Sequence, residues 1–168
     1  DDVESRGLGD VYKRQVHSED TTIKQMLESI QQQFNVKVRE KNITLSLCDT
    51  DLHVRCDSKW TVEALGNIVD NAIKYTACGG NVQIKVEQYS FFVKIDIIDD
   101  GIGIEKEEIP KIFGRFYRSL SVADQPGVGI GLFLAREIIQ AQKGYIKVTS
   151  KRGKGSTFSV FLPIAKKE

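Results

Sequence analysis

ALGNIVDNAIKYT, residues 64 to 76, sets two asparagines one helical turn apart, Asn67 and Asn71, in an otherwise apolar stretch. Asparagine is a poor residue for a helix interior because its amide competes for backbone hydrogen bonds, so helix stability does not explain the pair. At an i, i+4 spacing the two project to one side, with Lys74 one step further along the same stripe, while Leu65, Ile68, Val69, Ala72 and Ile73 supply the core side. Two neutral oxygen donors beside a cation suit a magnesium-bound phosphate chain, since magnesium prefers oxygen ligands and keeps waters and phosphate oxygens. A solvated polar face is the plainer alternative.

Outward from this stretch, DSKWTVEALGNIVDNAIKYT reads as one long helix capped by Asp57 or Ser58. Before it, NITLSLC and LHVRCD alternate as two short strands, and SED ahead of TTIKQMLESIQQQF offers a cap and an acidic first turn for an amphipathic helix to about Arg39. After it, GGN starts a hairpin of VQIKVEQY and FFVKIDIID, the second strand running into DDGIGI. EKEEIPKIF is a short helical piece, RSLSVADQPG a loop, GIGLFLAREIIQAQ a third long helix, and GYIKVTS and GSTFSVFLP a final hairpin. Three helices and a mostly antiparallel mixed sheet predict an α+β chain built as a two-layer α/β sandwich, with the helices on one face.

Two further places carry chemistry. In IDIIDDGIGI a carboxylate at a strand end, Asp99, precedes Gly101 and Gly103, a backbone that permits close ligand approach, and Asp99 is a pure acceptor able to take a hydrogen bond from an exocyclic amine. Alone, the pattern also fits a turn between a strand and a short helix. In PGVGIGLFLAREII, Gly127, Gly129 and Gly131 alternate into a helix whose first-turn amides and positive dipole end attract phosphate, although a flexible connection has the same composition.

Length and composition bound the rest. At 168 residues, 40% hydrophobic and 28% charged, the chain has the profile of a single globular domain. Lys plus Arg number 24 against 23 Asp plus Glu, so no overall field draws it to nucleic acid or an anionic membrane, and a polyanion would be held locally. Three cysteines without metal-ligand spacing, no long apolar run and no signal-peptide pattern point to a soluble chain in a reducing, cytoplasmic setting. Residues 1–16 show no sustained period and read as a disordered tail or a segment foreign to the native protein; residues 17–168 read as one domain.

In this order, the pieces resemble the ATP-binding catalytic domain of bacterial sensor histidine kinases, within the GHKL superfamily that also holds gyrase and its ATPase relatives. NIVDNAIKYT looks like the asparagine box, DDGIGI the first glycine box, IFGRFYR the phenylalanine box, GVGIGL the second glycine box and GKGSTFSVFLP the closing strand, over about residues 20 to 164. The resemblance implies a Bergerat-type sandwich binding ATP and magnesium. Asn71 would coordinate the metal with Asn67 beside it as ligand or support, Lys74 and Tyr75 would approach the phosphates and ribose, and Asp99 would accept from the adenine amine. Gly101 and Gly103 would admit the base, Ile104, Leu132 and Phe158 would wall its pocket, and Thr157 would assist Asp99 directly or through water. Gly127, Gly129 and Gly131 would border the phosphates, Arg118 would reach the terminal phosphate, and a lid would span roughly residues 114 to 128.

Hydrolysing relatives resemble this box but usually carry glutamate where this chain has Asn67, and a neutral amide cannot act as general base for water. The resemblance therefore implies transfer of the γ-phosphate to a histidine on a helical dimerisation domain absent from this chain, with a response regulator downstream and a parent kinase that is membrane-anchored. His17 and His53 lie in no sequence like the acceptor box, so the fragment is expected to be monomeric and not to phosphorylate itself. Other readings of the same boxes are a nucleotide-binding module without catalysis and a serine-phosphorylating anti-sigma factor.

Overall fold

The computed structural model describes residues 16–115 and 130–164. In chain order they form β1 (Glu19–Thr22), α1 (Ile23–Glu40), β2 (Thr44–Leu47), β3 (His53–Cys56), α2 (Ser58–Lys74), β4 (Asn81–Gln88), β5 (Phe92–Asp99), α3 (Gly131–Ala141), β6 (Tyr145–Lys151) and β7 (Gly155–Pro163). A five-stranded sheet in the order β2-β4-β5-β7-β6 is antiparallel except for the β2–β4 pair. The expected two-layer α+β sandwich with a mostly antiparallel mixed sheet is therefore the observed one.

Period-two alternation decides which face of the sheet is covered. Val82 and Ile84 of β4, Val93, Ile95 and Ile97 of β5, and Phe158, Val160 and Leu162 of β7 are all buried, and they meet Ile23, Met26, Leu27 and Ile30 of α1, Leu65, Ile68 and Val69 of α2, and Ile138 and Ile139 of α3 in one core. Each such side chain contributes about 1.5–3 kcal/mol by leaving water. The cost of cutting one back to alanine, about 2–5 kcal/mol, fixes the helices against the sheet and hence the distances between functional residues.

The helix ends follow local chemistry. Asp57 caps α2 by accepting the Trp60 amide at 3.1 Å. Gln142, buried just past α3, ties that cap to the third helix: its Oε1 accepts the Asp57 amide and its Nε2 donates to the Thr61 hydroxyl at 3.0 Å. At the far end of α2, Lys41 Nζ donates to the carbonyls of Ile73 and Lys74 at 2.8 and 2.9 Å, a cation on the negative end of the helix.

Two expectations need correction. SED does not cap the first helix; Glu19–Thr22 pairs antiparallel with β3, and the cap is Thr22, whose hydroxyl accepts the Gln25 amide at 3.3 Å. The partner strand lies more than thirty residues away, where local periodicity cannot register it, with Glu19 opposite Cys56 and Thr22 opposite His53. EKEEIPKIF forms only one 3-10 turn, Ile109–Lys111, with Pro110 in its first turn, where the missing amide is harmless but further α-helical bonding is not supplied. The expectations for residues 1–15 lie outside the described residues. All three cysteines are free thiols, and burial pushes the Cys56 thiol up to about 11.

Candidate functional site

The polar stripe of α2 lies where the sequence puts it. Asn67 and Asn71 are half-buried, and neither side-chain amide hydrogen-bonds to a described residue. Opposite them, the first residue of α3 comes close: a Cβ on Gly131 would stand 3.7 Å from Asn67 Cβ and 3.8 Å from its Cγ. Ile130, the N-cap of α3, makes no side-chain cap bond, so among the described residues the first-turn amides stand uncapped beside Asn67. Leu132 packs against the core edge beside them.

Lys74 does not extend freely along this stripe. Its Nζ is 3.3 Å from Asp70 Oδ2, while Lys37 of α1 holds Asp70 Oδ1 at 2.8 Å. Burial pushes the Asp70 carboxyl up, but the Lys37 hydrogen bond and the charges of both lysines outweigh it, so the net shift is downward.

The other end of the site is built from backbone. After β5 the chain folds onto the end of α2, where the Tyr75 carbonyl accepts the Ile102 amide at 3.1 Å. This approach is why residue 101 is glycine: a Cβ there would meet Tyr75 O at 2.2 Å and Asp99 Oδ1 at 2.9 Å. Gly103 has a φ of +73° and leaves no room either, since its Cβ would lie 2.2 Å from the Lys151 carbonyl. The Gly153 amide then donates to Ile102 O at 2.7 Å and the Ile104 amide to Ser150 Oγ at 2.8 Å, so the turn between β6 and β7 braces the loop from the far side.

Two adjacent carboxylates have opposite fates here. Asp99 is 7% exposed and its Oδ1 accepts the Gly101 amide at 2.9 Å. Burial drives its pKa up, more than the amides of Gly101 and Ser156 bring it back. Asp100 is exposed and accepts both the backbone and side-chain N–H groups of Asn81, at 2.8 and 3.0 Å, which hold it below the usual carboxylate range. Asp100 is spent on the hairpin, whereas Asp99 is a buried acceptor held by the backbone amides of Gly101 and Ser156.

The strand register bears on the direct alternative of one site expectation, that for Thr157. Asp99 lies opposite Ser156, while Thr157 lies opposite Ile98 and Thr149, on the outer face of the sheet. Thr157 therefore cannot assist Asp99 directly; the hydroxyl on that face belongs to buried Ser156, next to Ser150 of β6 across the ladder. Counting by twos back from the core residue Phe158 identifies Ser156 without a structure. Phe158 is fully buried, its ring edge-on to Phe113 at 6.3 Å, and Ile104 packs against the same core edge. Arg118, Gly127 and Gly129, with most of the expected lid, lie outside the described residues.

Amide oxygens with no hydrogen bond to a described residue at one end and a buried carboxylate acceptor at the other fit a nucleotide held through a hard cation. Among the described residues no group of three or more His, Cys, Asp or Glu could hold a metal by itself.

With this geometry goes a family. Residues 56–166 match the model of the histidine kinase-, DNA gyrase B- and HSP90-like ATPases, and the chain belongs to that family, among the ATP-binding catalytic domains of bacterial sensor histidine kinases. It is 39% identical over 122 residues to the sensor histidine kinase WalK of Bacillus subtilis, covering 70% of this chain and 20% of that protein. With the sensor protein kinase PmrB of Pseudomonas aeruginosa it shares 33% identity over 156 residues, 92% of this chain and 32% of the relative. The fold matches the mycobacterial sensor histidine kinase MprB with a TM-score of 0.77 at 25% identity, covering 88% of this chain and 98% of that structure. The chain thus spans a third or less of those two curated relatives. Domains of this family bind ATP with magnesium, and no helix among the described residues is long and apolar enough to cross a membrane.

Proposed function

We propose that this chain binds Mg-ATP in the groove between α2, the loop after Asp99 and the start of α3, and passes the γ-phosphate to a histidine on a separate helical dimerisation domain. The observation that carries the reading is the pair of half-buried amides, Asn67 and Asn71, with no side-chain hydrogen bond to a described residue, Asn67 lying against the first residue of α3. Magnesium, when bound, would neutralise and orient the phosphate chain. Asn71 would supply it a neutral oxygen ligand, with Asn67 a turn earlier as ligand or support.

The α3 amides and Gly131 would border the phosphates, joined by Gly127 and Gly129. Lys74 would reach them by leaving Asp70, and Tyr75 would flank the ribose. Asp99 would accept the adenine amine, with Gly101, Gly103, Ile104 and Leu132 shaping the base pocket. Arg118 would stabilise charge on the transferring group. Asn67 stands where hydrolysing relatives carry glutamate, so no general base for water is offered and a partner side chain is the acceptor.

The domain would act in the cytoplasmic portion of a membrane-anchored kinase, deliver phosphate to a response regulator, and stay monomeric by itself. The test is to mix the chain with Mg-ATP and a helical dimerisation domain carrying the acceptor histidine, and follow acid-labile phosphate. Label should appear on the added domain and not on this chain; stable labelling of this chain alone would contradict the reading.

A further inference from the structure

The inner face of the sheet is apolar until its last row, where three polar residues lie side by side across the strands: Ser150 on β6, Ser156 on β7 and Asp99 on β5. Ser150 sits in the middle of a hydrogen-bond hub. Its Oγ accepts the Ile104 amide at 2.8 Å, lies 3.0 Å from the Gly155 carbonyl, and lies 2.8 Å from Ser156 Oγ.

A hydroxyl has one proton and two lone pairs, which limits how these contacts are shared. The Ile104 amide occupies one lone pair. The Gly155 carbonyl can only accept, so it must receive the Ser150 proton. The remaining lone pair then accepts the Ser156 proton. Only this assignment satisfies all three contacts, and in it Ser156 has given its proton away and presents lone pairs alone. Beside it, the Asp99 carboxylate, which accepts the Gly101 amide at 2.9 Å and draws on the Ser156 backbone amide, is likewise a pure acceptor.

We infer that Ser150 is a specificity-positioning residue: by taking the Ser156 proton it makes the Asp99–Ser156 end of the site acceptor-only, which selects a base with an amine at this edge over one with a carbonyl. The inference rests on the proposed placement of the adenine at Asp99. An acceptor-only edge meets an exocyclic amine with hydrogen bonds and a carbonyl oxygen with lone-pair repulsion, and buried polar groups left unpaired are what make such discrimination strong. Without the Ser150 oxygen, the Ser156 O–H is free to turn and donate to a carbonyl.

The probe is the pair ATP and inosine triphosphate, which differ in the base only by amine against carbonyl at the six position and its attendant ring proton. Affinities of both, with magnesium, are measured by calorimetry on the wild-type chain and on Ser150→Ala, Ser150→Thr and Ser150→Cys. Ser150→Ala should lower the ATP-over-ITP preference by about tenfold, mainly through tighter ITP binding. Ser150→Thr keeps the hydroxyl and should keep the preference, while Ser150→Cys, a weak donor and acceptor, should lose most of it.

A purely structural role would weaken both nucleotides alike and leave the ratio unchanged. An unchanged ratio in Ser150→Ala, or in Ser150→Cys should the alanine variant not fold, overturns the inference while the site assignment stands. Wild-type chain that binds no Mg-ATP overturns both.

Discussion

The two ends of the proposed site are built by opposite strategies. Around Asp99, backbone bonds from Gly101, Ile102, Ile104 and Gly153 fix the loop in place, and glycines stand where a Cβ would strike a carbonyl. Along α2, Asn67 and Asn71 hold no side-chain bond to any described residue, and Lys74 rests on Asp70. A base is a rigid, flat group whose recognition depends on a pocket made beforehand. A metal-bridged phosphate chain brings its own charge and coordination, so the protein needs only donors that are positioned and unspent.

The comparison is most severely stressed by Gly101→Ala. The added methyl cannot fit 2.2 Å from Tyr75 O, so the loop must move; stability should fall by about 1–3 kcal/mol in denaturant titrations and ATP affinity by more than about a hundredfold. At the opposite end Asn71→Ala should separate the two quantities. No side-chain hydrogen bond to a described residue is lost and alanine is the better helix former, so Tm should hold or rise slightly, while affinity falls about a hundredfold.

Asp99→Asn sharpens the contrast further. The folded Asp99 carboxyl keeps its proton to higher pH than the ordinary value of 3.8, so the folded chain binds more protons than the unfolded one just above that value. Wild-type stability therefore declines as pH rises through that window. Asn can still accept the Gly101 amide without the buried charge, so Asp99→Asn should flatten this decline and raise Tm at neutral pH by about 1–3 °C, yet weaken ATP by about thirtyfold. Thermal scans across pH and calorimetry read the two effects separately.

The smallest effect belongs to Asp70→Asn. With its folded pKa depressed, Asp70 contributes stability that is present above its ordinary value and lost as pH falls through the folded one. Removing the charge should cost less than about 1 kcal/mol at neutral pH, seen as a reduced acid-side slope in the same scans.

Much of this contrast was legible in the amino-acid order. Period two and period 3.6 located the seven-strand, three-helix framework apart from β1, and spacing singled out Asn67 and Asn71 on α2 and Asp99, Gly101 and Gly103 in the loop that meets the end of that helix. What was missed depends on partners distant along the chain. The strand Glu19–Thr22 exists because β3 lies beside it, and Lys74 is held by an aspartate that Lys37 shares from another helix. Direct assistance by Thr157 fell for a different reason: its box matched, but a single-residue shift in strand register changes the face, and it is Ser156 of β7 that lies opposite Asp99.

The most direct test of the central claim is ATP titration with and without magnesium, on wild-type chain and Asn71→Ala. The account predicts that magnesium tightens ATP binding to the wild type and makes no difference to the variant, which still folds. Magnesium dependence undiminished in Asn71→Ala would mean that the unspent amides of α2 face something other than a metal-bound phosphate chain.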